Sequence, residues 1–133
     1  MPETPRILIV DDNAEVAGLF ERTLSEDGYI VGVVHTGRGA VGAITDRDYA
    51  LAIIDMSLPD MEGADVIRLI HAECPSVRIL AVSGFMSRAM EIIALTAGAN
   101  AVIGKPVRLE ELRTAVYRAI DPGDYWLAQT GSQ

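Results

Sequence analysis

"RILIVDDNAEVAGLFERTLSEDGYIVGVV", residues 6–34, is the stretch that decides the fold. It opens on a short apolar run, 6–10, rich in β-branched residues and bounded by polar ones, as a strand buried on both faces reads. Val16, Phe20 and Leu24 then recur at every fourth position, which is one face of a helix, and Gly28 supplies a stop. "YIVGVV" (29–34) returns to a strand pattern. Strand, helix and strand in so short a span form a unit that builds a parallel sheet, because parallel neighbours need a crossover between them.

The unit repeats along the chain. "LAII" (51–54), "RILAV" (78–82) and "NAVI" (100–103) bring the strands to five. Residues 36–48 read as a weak amphipathic helix, loosened by Gly37, Gly39 and Gly42. Val66, Leu69 and Ile70 mark a third helix, stopped before Pro75, and Ile92, Ile93 and Leu95 a fourth, stopped at Gly98. Leu109, Leu112, Val116 and Ile120 mark the fifth, which ends at "DPG". Five strand–helix units imply an α/β fold, a flavodoxin-like (βα)5 three-layer sandwich around a five-stranded parallel sheet. Right-handed crossovers give the strand order 2-1-3-4-5. The domain then occupies residues 1–121 and leaves 122–133 as a short tail, in which Tyr125, Trp126 and Leu127 either dock on the body or fray.

Composition bounds the function. At 133 residues the chain reads as one domain, burying roughly two thirds of its unfolded surface. Half the residues are hydrophobic and 23% charged, so it folds rather than staying disordered. A net charge of −8, with no basic cluster longer than a pair, argues against direct nucleic-acid binding. No apolar run approaches the length of a membrane span, and "MPETPRILIV" has no secretory signature. With a single cysteine, Cys74, these features lead to the expectation of a cytoplasmic protein. Cys74 itself reads as an ordinary small apolar residue, and His35 and His71 lack the spacing of a zinc site.

The chemistry gathers where the strands end, which is where open parallel sheets bind ligands. After the first strand come Asp11, Asp12 and Asn13, after the third Asp55, after the fourth Ser83 and Gly84, and after the fifth Lys105. The second strand ends in His35 and Thr36, with nothing comparable. Singly, each has a plainer role: Asp12 or Asn13 as a helix cap, Ser83 in a turn, Asp55 opening a loop, Lys105 solvated. Together, three carboxylates repel and raise one another's pKa unless a cation joins them. Oxygen ligands of this kind suit Mg²⁺. A carboxylate beside Mg²⁺, a hydroxyl and a lysine form a set able to accept a phosphoryl group.

With "ILIVDDN", "LAIIDMSLPDMEG", "AVSG" and "AGANAVIGKP" in this order at strand ends, the chain resembles the receiver domain of two-component response regulators from about Arg6 to Ile120. The resemblance implies that Asp55 is the phosphoacceptor and that Asp12, Asp55 and the backbone carbonyl of Ser57 ligate Mg²⁺, with Asp11 acting through a water. It implies that Ser83 bonds a phosphoryl oxygen, that Lys105 pairs with Asp55 or its phosphate, that the Lys105–Pro106 peptide is cis, and that Pro59 and Gly63 shape the loop after Asp55. The implied donor is a histidine kinase or a histidine phosphotransfer protein. With only a short tail after the last helix, the readout falls to another, unknown output protein. The implied readout surface is the fourth helix, fifth strand and fifth helix, where Met86 and Met90 stand four apart and serve either as an adaptable contact or as core. The chain departs from the family at Val102, where an aromatic usually rotates on phosphorylation, and Phe85 is the alternative lever. The domain is expected to act only on itself, not as an enzyme with a separate substrate. Two other readings stand beside this one: a receiver-like interaction module working without phosphorylation, and a Mg²⁺-dependent phosphohydrolase of the haloacid dehalogenase type. Against the phosphohydrolase, Asp11 and Asp12 are adjacent rather than spaced by one residue, and Ser57 stands two residues after Asp55.

Overall fold

The computed structural model describes residues 4–121. Five strands and five helices alternate along the chain. Strand β1 (Arg6–Val10) leads into helix α1 (Ala14–Glu26), and β2 (Ile30–Val34) into α2 (Gly37–Ala43). Then come β3 (Leu51–Asp55) with α3 (Gly63–Glu73), β4 (Arg78–Ser83) with α4 (Arg88–Ala97), and β5 (Ala101–Gly104) with α5 (Leu109–Ile120). The strands form one parallel sheet in the order β2-β1-β3-β4-β5, as anticipated.

The two faces of the sheet carry separate cores, because side chains alternate along each strand. On one face Leu8, Val10, Ala52, Ile54, Ile79 and Ala81 pack with residues of α2, α3 and α4, among them Ala40, Ile67, Ile70 and Ala94. On the other, Ile7, Ile9, Ile53, Leu80 and Val82 meet Phe20 and Leu24 of α1 and Leu112 and Val116 of α5. Each fully buried Ile or Leu contributes about 1.5–3 kcal/mol, so the strands with two covered faces hold the sheet together. At its lower end Asn100 ties β5 to β4, its side-chain oxygen accepting the Ile79 N–H at 2.8 Å and its own N–H donating to the Ile79 carbonyl at 2.8 Å.

One local reading is corrected, and in two helices the buried side chains differ from those that mark them in the sequence. The second helix is much shorter than the expected 36–48: it ends at Ala43, beyond which the chain turns with Ile44 tucked into the core. Three glycines in seven residues leave little intrinsic propensity to carry it further. Helix α4 lies where Ile92, Ile93 and Leu95 placed it, but those side chains are exposed. Its buried contacts are Ala94 and Ala97, small enough to bring the helix close to the sheet. In α3 it is Ile67 that is buried with Val66 and Ile70, and Leu69 faces outward. Cys74 is half-buried against the core as an ordinary apolar residue, and Met90 also packs there. No helix among the described residues is long and apolar enough to cross a membrane. Tyr125, Trp126 and Leu127 lie outside the described residues.

Gly63, at the start of α3, sits so close to the loop after β3 that a Cβ built on it would collide with the Met56 backbone. Gly18, in the middle of α1, has no atom within 4 Å of such a Cβ. Gly63→Ala is therefore expected to destabilise the fold by about 2–4 kcal/mol through a forced backbone shift. Gly18→Ala is expected to stabilise it by about 0.5–1 kcal/mol through helix propensity. Urea unfolding of the two variants beside the wild type measures both.

Candidate functional site

The carboxyl ends of β1, β3, β4 and β5 meet in one crevice. Asp11 follows the last residue of β1 and Asp55 is the last of β3, and both are buried. Asp12 stands beside them, exposed to solvent. Carboxylate oxygens of all three lie within 4.8 Å of one another. Lys105, reaching in from the end of β5, places its Nζ 3.0 Å from Asp55 Oδ2 and 3.3 Å from Asp11 Oδ2. The remaining oxygens are also held: Asp11 Oδ1 accepts the Asn13 N–H at 2.9 Å and Asp55 Oδ1 the Ser57 N–H at 3.0 Å. The Lys105–Pro106 peptide is cis.

The electrostatics follow from this crowding. Burial raises the pKa of Asp11, and the charge on Asp55 adds to that. The Asn13 N–H and the Lys105 ammonium pull the other way without cancelling it. For Lys105, burial alone would lower the pKa, but the hydrogen bond to Asp55 and the charges of Asp55 and Asp11 outweigh it, and the net shift is upward. Three carboxylates against one ammonium leave two negative charges in a partly desolvated crevice. Hard oxygen donors within one coordination sphere, one of them open to water, fit a divalent cation such as Mg²⁺ that keeps several waters.

Each plainer role can be checked. Asn13, not Asp12, caps α1, its Oδ1 accepting the N–H groups of Glu15 and Val16. Lys105 is engaged rather than solvated. Ser83, only 1% exposed, does shape a turn: its Oγ donates to the Phe85 carbonyl and accepts the Phe85 N–H, each at 3.1 Å. Ser83 pairs with Gly104 in the sheet, and its carbonyl accepts the Lys105 N–H at 2.8 Å. Val102 is half-buried against the core, whereas Phe85 is 75% exposed.

Two participants escaped the sequence reading. Asp60, in the loop between β3 and α3, accepts the N–H groups of Gly37 and Arg38 at 2.8 and 2.9 Å, so that it latches the loop holding Ser57 onto the start of α2. Those bonds, Arg38 first, lower its pKa. His35 Nδ1 donates to the backbone carbonyl of Asp11 at 2.9 Å, tying the end of β2 to the crevice. Neither was legible, since both bonds join segments more than twenty residues apart. Pro59 and Asp60 in "LPDMEG" announce a turn but not what it grips.

Comparison with known proteins agrees with the geometry. A family model described as the response regulator receiver domain matches residues 7–117. The transcriptional regulatory protein TctD of Salmonella typhimurium is 31% identical over 107 residues, 80% of this chain and 48% of that protein. The regulatory protein LuxO of Vibrio vulnificus is 33% identical over 112 residues, 84% of this chain and 25% of that protein. The chain thus spans about half the length, or less, of these curated relatives. Among solved structures, the CheY-like response regulator receiver domain protein of Methanospirillum hungatei superposes with a TM-score of 0.87 at 31% identity, covering 92% of this chain and 98% of that one.

The Asp60 latch has a pH signature. A carboxyl whose pKa is lowered by folding contributes stability that is complete above its unfolded pKa and is lost as pH falls through the lower folded value. Hydrogen-exchange protection of the Gly37 and Arg38 amides, corrected for intrinsic rates, should therefore persist at neutral pH and fall only below the usual Asp range. In Asp60→Ala it should already be lost at neutral pH, with α1 unaffected.

Proposed function

Because the chain belongs to the response regulator receiver family, we propose that it is a phosphorylation-controlled signalling module. In this reading Asp55 takes a phosphoryl group from a phosphohistidine of a sensor kinase or phosphotransfer protein. The observation that carries the reading is the Lys105 Nζ held 3.0 Å from a buried Asp55 carboxylate, inside a cluster with Asp11 and Asp12. In the transfer an Asp55 oxygen attacks phosphorus while the P–N bond to the donor histidine breaks. The bonding electron pair stays on the ring nitrogen, and with a proton on its other nitrogen the imidazole leaves neutral. Lys105 follows the charge, exchanging part of its bond to Asp55 for one to the phosphoryl oxygens. Ser83 donates its hydroxyl to another of them, and the Ser57 N–H keeps the carboxylate oriented.

Asp12, Asp55 and the Ser57 carbonyl, with Asp11 through a water, would hold a divalent cation, whose chemistry is to spread the charge of the transferring group. Return to the resting state is hydrolysis: a water oxygen attacks phosphorus and the Asp55 carboxylate departs. Receiver domains are signalling domains, so no separate substrate is proposed for this one. We take residues 1–121 as the receiver and 122–133 as a tail, and place the module in the cytoplasm with the kinase. The absence of direct nucleic-acid contact is proposed for this domain alone, on its charge of −8. The relatives named as regulators are longer, and a longer protein would bring the output encoded in its remaining length. The adjacent Asp11–Asp12 pair and the family assignment leave the phosphohydrolase reading without support.

Acetyl phosphate with Mg²⁺ is expected to add one phosphoryl group, measured by intact mass and mapped to Asp55 by peptide mass spectrometry. Asp55→Ala should take up none, and chelation of the metal should slow uptake on the order of 100-fold or more. Incorporation at any other residue, or equal incorporation in Asp55→Ala, would overturn the assignment.

A further inference from the structure

The chain lacks an aromatic at Val102, yet the structure holds another group that a change at Asp55 would displace. Ser83 has a single hydroxyl proton, and it is committed to the Phe85 carbonyl, while its oxygen accepts the Phe85 N–H. The two bonds close the turn 83–85 on itself. Ser83 stands next along β4 to Val82, the register partner of Asp55, and the Met56 N–H donates to the Val82 carbonyl at 2.8 Å. A phosphoryl group on Asp55 therefore arrives beside Ser83 with unfilled acceptors. The hydroxyl can donate to it only by releasing the Phe85 carbonyl, since one proton serves one strong bond.

Little else in the turn resists that release. Phe85 is largely solvent-exposed and is not packed in place. Met86, the next residue, has a seat: its side chain lies over Gly104, where a Cβ built on the glycine would fall 2.6 Å from Met86 Cγ and 3.8 Å from its Sδ. Gly104 is the sheet partner of Ser83 and the residue before Lys105. Methionine is suited to such a seat, being unbranched and adaptable in packing. Ser87 follows directly and caps α4, its Oγ accepting the Met90 N–H, so a shift at Met86 passes into the first turn of that helix.

We propose that Met86, seated on Gly104, is the switch side chain of this receiver. Phosphorylation of Asp55 draws the Ser83 hydroxyl off the Phe85 carbonyl, opens the turn, and lifts Met86 from β5. The device rests on Asp55 being the phosphoacceptor and assigns the moving part to Met86 rather than to Val102 or Phe85. Val102 has only two methyl groups and stays packed against the core. Phe85 has no seat on the strand to leave.

The test is NMR of protein carrying ¹³C-methyl methionine, with the Met86 signal assigned by Met86→Leu and phosphoprotein measured by intact mass in the same samples. On adding acetyl phosphate and Mg²⁺, the Met86 methyl and the Phe85 amide should shift together, in proportion to the fraction phosphorylated. In Gly104→Ala the new methyl group occupies the seat, so the Met86 signal should lie at a displaced position before any donor is added. A phosphorylated wild type with an unmoved Met86 methyl or Phe85 amide overturns the proposal and leaves the phosphoacceptor assignment standing. So does a folded Gly104→Ala with Met86 at its wild-type position. No phosphate on Asp55 in the wild type overturns both.

Discussion

Everything at the carboxyl edge of this sheet depends on one ammonium reaching two buried carboxylates. Asp11 follows β1 and Asp55 ends the neighbouring β3, whereas Lys105 follows β5, which does not pair with β3. Its Nζ therefore reaches past the end of β4, across two strand spacings of roughly 9–10 Å in all. Three features permit the crossing. Lys105 is anchored by its backbone N–H on the Ser83 carbonyl, its stem is long, and β4 ends in two small residues, Ser83 and Gly84. A bulky residue at the end of β4 would stand in the path. The strand order, the small β4 terminus and the lysine at β5 thus answer one demand: to keep acidic groups buried and near balance while leaving room for a further anion.

The balance is incomplete, which makes the site responsive. One ammonium does not neutralise three carboxylates: burial first and then the Asp55 charge raise the pKa of Asp11, while Asp55 and Asp11 together raise that of Lys105 against its own burial. The carboxylates would gain from added positive charge, and Lys105 would gain from an added negative one. A phosphoryl group brings roughly −1.5 to −2 charges and three strong acceptors. In the proposed transfer Lys105 and the Ser83 hydroxyl would meet it, each giving up part of a bond that it already holds. Bonds that the phosphoryl group makes in one conformation and not in the other shift the balance between the two.

Most of the fold was legible because its signals are local. Short β-branched runs, helical periodicity and glycine stops located five strands and five helices, and handedness ordered the sheet. The differences came where tertiary packing overrides periodicity. In α4 the large apolar residues Ile92, Ile93 and Leu95 mark the helix in the sequence but lie exposed, and the alanines face the core. In α2 the pattern continued past the last helical residue because Ile44 is buried from a turn. At the site, topology alone points to the residues that end strands, and of these Asp11, Asp12, Asp55 and Lys105 come together. The second-tier contacts could not be seen, since Asp60 on α2, His35 on the Asp11 carbonyl and Met86 on Gly104 each join segments remote in sequence.

That the crevice is built to receive a phosphoryl group on Asp55 is tested most directly by a crystal structure grown with Mg²⁺ and beryllofluoride. Beryllium should be bonded to an Asp55 carboxylate oxygen, with Lys105 Nζ and Ser83 Oγ each within hydrogen-bonding distance of a fluorine and the Ser83–Phe85 carbonyl bond broken. A crystal with the metal bound but Asp55 unmodified and Lys105 still bridging Asp11 and Asp55, or with the mimic seated on another residue, would contradict it.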